Sequence, residues 1–392
     1  MRILAIKRRL PRSTRSGQNL PVRELLARLA QRHDVLLACW EDEAGTDALP
    51  QFRTLLQPLP KGPNPPAGAI FDLALARHFG FAPATAPWLR QLIDEWCPDV
   101  VYGLDYQTLL PLDANPHCPR VCALVDNRHL VARQRWQQAR QRPRLLAELM
   151  WSYLLHRRCA HAAEAFTFVS EREAAGFRRF TDRSCVAIPN GVDTDYFSPA
   201  ATPRDDTRVV FVGSLDFPPN IDAVRWFCRS VWPLVREAEP AAQLGVVGKS
   251  PVAQVLAWHG RDGISVVADA PDVRPYLAGA AVAVVPMRSG GGIKNKILEA
   301  WAMATPTVAT AMSLHGTAAR PDENIMVADE PEEFAAAVVR CLLDRAWRAR
   351  LGQAGRETAV NDHSWECAAD RLEDCLAAAV AAANTEQHAL IA

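Results

Sequence analysis

The sequence predicts an α/β fold with two domains in tandem, and three observations predict it. Short apolar runs alternate with stretches of helical periodicity along almost all of the 392 residues, the pattern of parallel strands joined by crossover helices. The alternation breaks once, at Ile188-Pro-Asn-Gly-Val-Asp193 and the Pro-, Asp- and Thr-rich residues 198–207, and then restarts. The length suffices for two ordinary cores, and 49% hydrophobic with 22% charged residues leaves little room for long disorder.

Taken in order, residues 2–6 read as a first strand. A loop containing Ser16-Gly17 follows, then a helix carrying Leu25, Leu26 and Leu29 at helical spacing. Residues 33–40, 99–102 and 121–125 read as further strands, and residues 151–165 as a helix feeding a strand at 166–169. Ser170 with Glu173 three positions on is a capping box that opens the next helix. Beyond the break, strands are expected at 208–212, 243–247, 264–267, 282–285 and 307–310, each followed by helical sequence. The residues after about Thr385 carry no pattern and are expected to fray. The expected organisation is a first domain at 1–195, a linker at 196–207, a second domain at 208–365 and a terminal helix and tail at 366–392.

The formal net charge is zero, but residues 1–200 carry about +6 and residues 201–392 about −6. The basic excess gathers at Lys7, Arg8, Arg9, Arg12 and Arg15, and again between Arg128 and Arg144. Such clusters attract an anionic membrane surface or an anionic acceptor, or else form a solvated face. No nucleic-acid-binding module accompanies them, which argues against a nucleic-acid partner. The ten cysteines are scattered, Cys118 and Cys122 do not form a CxxC pair, and no clustered histidines suggest zinc. The apolar opening is too short for a signal-peptide core, and no run approaches the roughly 20 apolar residues of a membrane span. The expected location is the cytoplasm, with peripheral contact to the inner face of the membrane.

The most informative stretch is Pro286-Met-Arg-Ser-Gly-Gly-Gly-Ile-Lys-Asn-Lys-Ile-Leu-Glu-Ala300. A strand ends there, Gly290, Gly291 and Gly292 follow, and a helix is expected to start near Gly292. Bare backbone N–H groups and a helix N-terminus at the carboxyl end of a parallel strand suit a phosphate. Glycine permits close backbone approach and positive φ, although a plain turn would need it too. Only five of the 44 cationic side chains are lysines, and two of them, Lys294 and Lys296, follow the glycines directly. An ammonium is a compact point charge suited to phosphate. Glu299, one and a half to two turns into the same helix, could accept ribose hydroxyls or support the helix. Gly213, Ser214 and Lys249, at the ends of the preceding strands, complete the candidate set.

At these residues the chain resembles the large retaining glycosyltransferase family 4, and within it the sugar transferases of bacterial exopolysaccharide clusters. The resemblance rests on residues 188–199, on Phe211-Val-Gly-Ser-Leu215 with Pro219-Asn220, and on Asp272-Val-Arg-Pro-Tyr276. It continues through Leu298-Glu-Ala-Trp-Ala-Met303, Pro306-Thr-Val-Ala-Thr310 and Ser364-Trp365, in the family's order and spacing. It implies the GT-B fold, two Rossmann-like domains facing across a cleft, with the terminal helix crossing back to the first domain. It also implies a nucleoside diphosphate sugar as co-substrate in the second domain, no other cofactor, and an acceptor on the first. The acceptor would be a sugar, a lipid-linked glycan or a small glycoside.

Three departures from the family pattern bear on the site. The Glu-x7-Glu motif keeps its second carboxylate at Glu299, but Gly291 stands at the first. Ser214 and Asn220 replace the usual Arg and Lys of the phosphate loop, so the resemblance asks Lys294 or Lys296 to supply the missing charge. The first domain's histidine near the reacting carbon has two candidate counterparts, Asp126 and His129. Asp193-Thr-Asp195 resembles an Asp-x-Asp metal motif, yet after Asn-Gly it reads as a turn, and no metal ligand is expected. The expected chemistry is glycosyl transfer with retention, the leaving diphosphate stabilised by a lysine and the glycine-loop amides. Its rivals are a nucleotide-sugar epimerase of the same architecture and a catalytically silent nucleotide-sugar-binding subunit. An oxidoreductase is disfavoured, since no G-x-G-x-x-G follows the first strand.

Overall fold

The computed structural model describes residues 1–11, 19–41, 52–56, 85–115, 117–124, 127–138, 143–199, 204–290 and 292–391. The chain divides into two compact units, Met1–Pro189 together with Ala368–Ala392, and Asn190–Cys367. Both are α/β, as the alternating pattern predicts.

The first unit runs β1 (Arg2–Lys7), α1 (Asn19–Leu29), β2 (Asp34–Cys39), β3 (Arg53–Leu56), α2 (Thr85–Trp96), β4 (Val100–Leu104) and α3 (Leu109–Asp113). It continues with β5 (Arg120–Leu124), α4 (Arg128–Gln138), α5 (Pro143–Cys159), β6 (Ala165–Phe168), α6 (Glu171–Phe177) and β7 (Ser184–Ala187). The described strands form one parallel sheet in the order β3-β2-β1-β4-β5-β6-β7. β1 and β4 are buried almost throughout, which is why they read as continuous apolar runs. Leu25, Leu26 and Leu29 of α1 are buried, as their spacing predicts. Ser170 caps α6 by accepting the Glu173 N–H at 3.4 Å.

The second unit runs β8 (Asp205–Val212), α7 (Pro218–Trp226), a π-turn (Phe227–Val231), α8 (Trp232–Ala238), β9 (Gln243–Gly248) and α9 (Ala253–Leu256). Then come β10 (Ile264–Ala268), α10 (Arg274–Gly279), β11 (Ala280–Val285), α11 (Asn295–Ala302), β12 (Thr307–Ala309) and β13 (Met326–Val327). Three helices close the chain, α12 (Pro331–Leu343), α13 (Arg345–His363) and α14 (Trp365–Ile391). The described strands form a second parallel sheet, β10-β9-β8-β11-β12-β13. Arg204 pins the start of β8, donating to the carbonyls of Leu277, Ala280, Met303 and Ala304 at 2.9–3.2 Å.

Several expectations need correction. The helix expected at 151–165 is α5, which starts eight residues earlier at Pro143 and stops at Cys159. Residues 160–164 turn instead, because Glu164 must reach Arg120: its N–H donates to the Arg120 carbonyl at 2.9 Å and its carboxylate takes the guanidinium at 2.6 Å. The strand expected from Arg208 begins at Asp205. The tail expected to fray after Thr385 is the end of α14, which continues to Ile391. α14 opens as its sequence suggests, Ser364 Oγ accepting the Cys367 N–H at 3.2 Å. The loop at Ser16-Gly17, Val125 and the linker residues 200–203 lie outside the described residues.

Candidate functional site

Chain order in the second sheet turns back between β8 and β11, the place where open α/β sheets bind ligands at their carboxyl edge. The candidate residues of this unit gather there. Gly213 and Ser214 follow β8, Lys249 follows β9, and Gly290 to Glu299 follow β11. The edges are tightly sewn: Gly213 N–H donates to the Val247 carbonyl at 3.1 Å and Leu215 N–H to that of Lys249 at 2.8 Å. A Cβ on Gly248 would lie 1.7 Å from the Gly213 carbonyl oxygen, so only glycine lets β8 and β9 approach this closely.

Lys296 is the centre of the group. Its ammonium donates to Asn220 Oδ1 at 2.8 Å and lies 4.3 Å from the centroid of the Phe211 ring. Asn220, buried in the first turn of α7, donates its own amide N–H to the Ser214 carbonyl at 2.8 Å. The amide is thereby oriented with its oxygen towards the lysine. A Cβ on Gly213 would come within 2.9 Å of the ammonium, so that glycine makes room for it. Desolvation pulls the Lys296 pKa down to about 7, with Glu299 raising it and Lys294 lowering it further. Glu299, half-buried and one helical step (i, i+3) from Lys296, has its pKa raised by desolvation against the pull of that ammonium.

Lys294 does something different. It is 7% exposed and its ammonium donates to the carbonyls of Gly290 at 2.9 Å and Gly292 at 3.0 Å. Gly290 and Gly292 hold φ of +101° and +72°, which rules out the helix start expected near Gly292. α11 begins at Asn295, with Lys294 as its N-cap residue, and Glu299 therefore sits only about one turn in. Lys294 is thus committed to the carbonyls of its own loop, whereas Lys296 faces the sheet edge. Behind the loop, Thr310 Oγ1 donates to the Met287 carbonyl, and Ser313 Oγ to that of Val285 at 2.7 Å. Phe211, Asn220 and Thr310 are visible in the sequence only as members of family-like motifs, and nothing in it marks Ser313 or assigns Phe211 and Asn220 to the lysine. Gly291 lies outside the described residues.

In the first unit, His129 stands in the first turn of α4, whose cap is the buried Asn127, accepting the Leu130 N–H at 3.1 Å. His129 Nδ1 is 3.3 Å from Ser152 Oγ, and its ring packs against Tyr153, His156 and Phe180. Desolvation lowers its pKa. His156, fully buried beneath it, is hydrogen-bonded to the Tyr106 hydroxyl at 2.9 Å, and burial drives its pKa down to about 3. Asp126 lies outside the described residues. Asp193 forms a turn, its carboxylate accepting the N–H groups of Asp195 and Tyr196 at 3.1 and 2.9 Å.

Comparison with known proteins covers both units. Residues 15–196 match the model of Glycosyltransferase Family 4, and residues 206–344 that of Glycosyl transferases group 1. A lipopolysaccharide core biosynthesis glycosyltransferase of Rhizobium meliloti is 36% identical over 108 residues, 27% of this chain and 32% of that protein. A phosphatidyl-myo-inositol mannosyltransferase of Mycobacterium tuberculosis is 29% identical over 202 residues, 48% of this chain and 52% of that one. The matched regions thus span about a third to a half of the length of these relatives. Among solved structures, Anabaena HepE in complex with UDP superposes with a TM-score of 0.69 at 15% identity, covering 96% of this chain and all of that one. The two family models, the two parallel sheets and the likeness in fold agree, and the chain belongs to the family 4-like glycosyltransferases of GT-B fold.

Proposed function

We propose that the protein transfers a glycosyl group from a nucleoside diphosphate sugar to an acceptor hydroxyl, with retention, in polysaccharide or glycoconjugate biosynthesis. The observation that carries this reading is the Lys296 ammonium at the reversal point of the second sheet, held by Asn220 beside the glycine loop. The likeness to HepE, whose structure contains UDP, supports the choice of ligand. In this reading the diphosphate lies on the glycine-loop N–H groups and Lys296, while Glu299 accepts ribose hydroxyls. As the glycosidic bond to the leaving diphosphate breaks, negative charge grows where a preorganised ammonium already stands. That charge supplies what a divalent cation would otherwise supply, so transfer is expected to proceed in the presence of a chelator.

Asn220 occupies the position at which the family pattern has a lysine, and Lys296 brings an ammonium to that asparagine from a different element. The missing first carboxylate of the Glu-x7-Glu motif leaves the donor sugar to the loop N–H groups. A panel of nucleoside diphosphate sugars tests the reading. One of them should raise the melting temperature of the wild-type protein, and Lys296→Ala should weaken its binding by about 2 kcal/mol, roughly 30-fold, through loss of a charge-assisted bond. The anomeric configuration of the transferred sugar, read by NMR, then checks retention. Isomerised donor without transfer product would assign the protein to the epimerases instead, and binding without turnover to the silent subunits.

A further inference from the structure

The first sheet also reverses its order, between β1 and β4, so it too has a carboxyl-edge crevice of the kind that takes ligands. Two charged side chains stand there that the donor site does not use. Lys7 is the last residue of β1; the register Ile6↔Gly103 places it level with Leu104, and Asp105 comes next. Lys7 is half-buried and, among the described residues, its ammonium makes no hydrogen bond or ion pair. Burial lowers its pKa, and Asp105 and Cys39 are the charges that oppose this. The nearby Glu41 is already held by Arg8 at 2.5 Å and Arg9 at 3.1 Å.

Asp105 is the second observation. Its backbone holds φ 96°, ψ 160°, a region that is essentially reserved for glycine. Among the described residues, the six other non-glycine residues with positive φ lie between 44° and 64°, the left-handed region that such residues can visit. The strained conformation is clamped from several sides. Asp105 N–H donates to the Ala123 carbonyl on β5 at 2.9 Å, and its own carbonyl accepts from Thr108 Oγ1 at 2.7 Å. Its Oδ1 accepts the Tyr106 N–H at 2.6 Å. Tyr106 is anchored in turn, its hydroxyl accepting the Arg128 N–H at 3.3 Å and meeting His156. A turn alone would take glycine here; aspartate adds a carboxylate one residue past the position level with Lys7, whose ammonium has no hydrogen bond or ion pair among the described residues.

A sugar hydroxyl both donates and accepts. An ammonium can donate to its oxygen while a neighbouring carboxylate accepts its proton. A phosphate would be repelled by Asp105, and a cation by Lys7, so the pair suits a neutral polyol. We propose that Lys7 and Asp105 form a sugar-binding subsite at the reversal point of the first sheet, taking adjacent hydroxyls of the acceptor. The subsite rests on the glycosyl-transfer reading for its role as the acceptor side, but its binding chemistry is testable separately.

The experiment uses the full chain and the methyl glycosides of glucose, galactose, mannose and N-acetylglucosamine, with binding followed by saturation-transfer NMR and titration. At least one glycoside should bind the wild type and lose tenfold or more in affinity in both Lys7→Met and Asp105→Asn, with nucleoside diphosphate affinity unchanged. Asp105→Gly removes the backbone strain, so it should lose the glycoside while melting no lower than the wild type. The inference is overturned if no glycoside binds the wild type, or if binding survives Lys7→Met and Asp105→Asn. A chain that binds the glycoside through these residues but binds no nucleoside diphosphate sugar would sustain the subsite and overturn the transfer reading.

Discussion

Lys294 and Lys296 are the same residue type two positions apart, and the fold gives them different tasks. Lys294 turns its donors onto the carbonyls of its own loop, whereas Lys296 faces Asn220 across the sheet edge. Their sequence spacing marked both as cations near phosphate but could not divide them, because the division depends on where α11 begins. Positive φ at Gly290 and Gly292 delays that start to Asn295, a tertiary outcome that a run of glycines does not disclose. The Lys296 environment carries a signed pH dependence. With its pKa near 7 in the folded protein against 10.5 in the open chain, the unfolded state binds more protons between these values. Stability should therefore rise as pH increases through about 7. Binding should move oppositely, because a diphosphate favours the charged lysine. Affinity for the preferred nucleoside diphosphate sugar should be flat below about pH 6 and fall, by up to tenfold per pH unit, above about pH 7. The diphosphate diester does not itself titrate in that range. Calorimetry in buffers of different ionisation heat should register proton uptake on binding near pH 8. A pH-independent affinity in the wild type, or the same slope in Lys296→Ala, would remove Lys296 from the phosphate site.

At the scale of elements, the proposed donor edge depends on how closely β8 and β9 approach. Gly248 and Gly292 make a useful contrast, since both flank the site and both are glycine. A Cβ at Gly248 meets the Gly213 carbonyl backbone at 1.7 Å, whereas one at Gly292 meets nothing within 4 Å and only the positive φ opposes it. Gly248→Ala should destabilise by about 3 kcal/mol, since strand backbone must move. Gly292→Ala should cost about 1 kcal/mol. Denaturant titrations compare them; equal losses would mean that the β8–β9 edge yields easily. The buried central strands were legible because burial on both faces leaves continuous apolar runs. The edge strands β3, β7 and β13 are not legible in the sequence because they are two to four residues long and mostly half-exposed. The sequence misplaces the end of α5 because alanines at 160, 162 and 163 favour a helix locally, while the Arg120–Glu164 contact turns the chain. Pro143 at its first position, a common helix opening, was the available clue.

For the molecule as a whole, the uneven charge raises the question of a membrane-bound acceptor, and the structure redraws the basic patches. No helix among the described residues is long and apolar enough to cross a membrane, so the question concerns a surface. The first cluster is largely committed: Arg8 and Arg9 hold Glu41 and Lys7 is half-buried, while Arg12 and Arg15 lie outside the described residues. The second cluster has gained an apolar component. On α5, Leu146, Met150 and Tyr153 are 47%, 51% and 38% exposed, and their i, i+4, i+7 spacing puts them on one helical face. Exposed Arg144 and Arg157 stand on the same helix, and exposed Arg133 on α4. An apolar stripe that exposed Arg157 continues on the same helical face suits an anionic leaflet, where the stripe enters the headgroup boundary and the cation meets lipid phosphate. Each arginine near the surface contributes about 1 kcal/mol, screened within a Debye length. The full chain should therefore sediment with anionic vesicles at low salt, less at high salt, and weakly with neutral ones. Leu146→Asp with Met150→Asp should reduce sedimentation at least tenfold at low salt, leaving donor binding unchanged because both residues belong to the other unit. Residence in the supernatant with anionic vesicles at low salt would instead assign the protein a soluble acceptor, with the stripe left to some other contact.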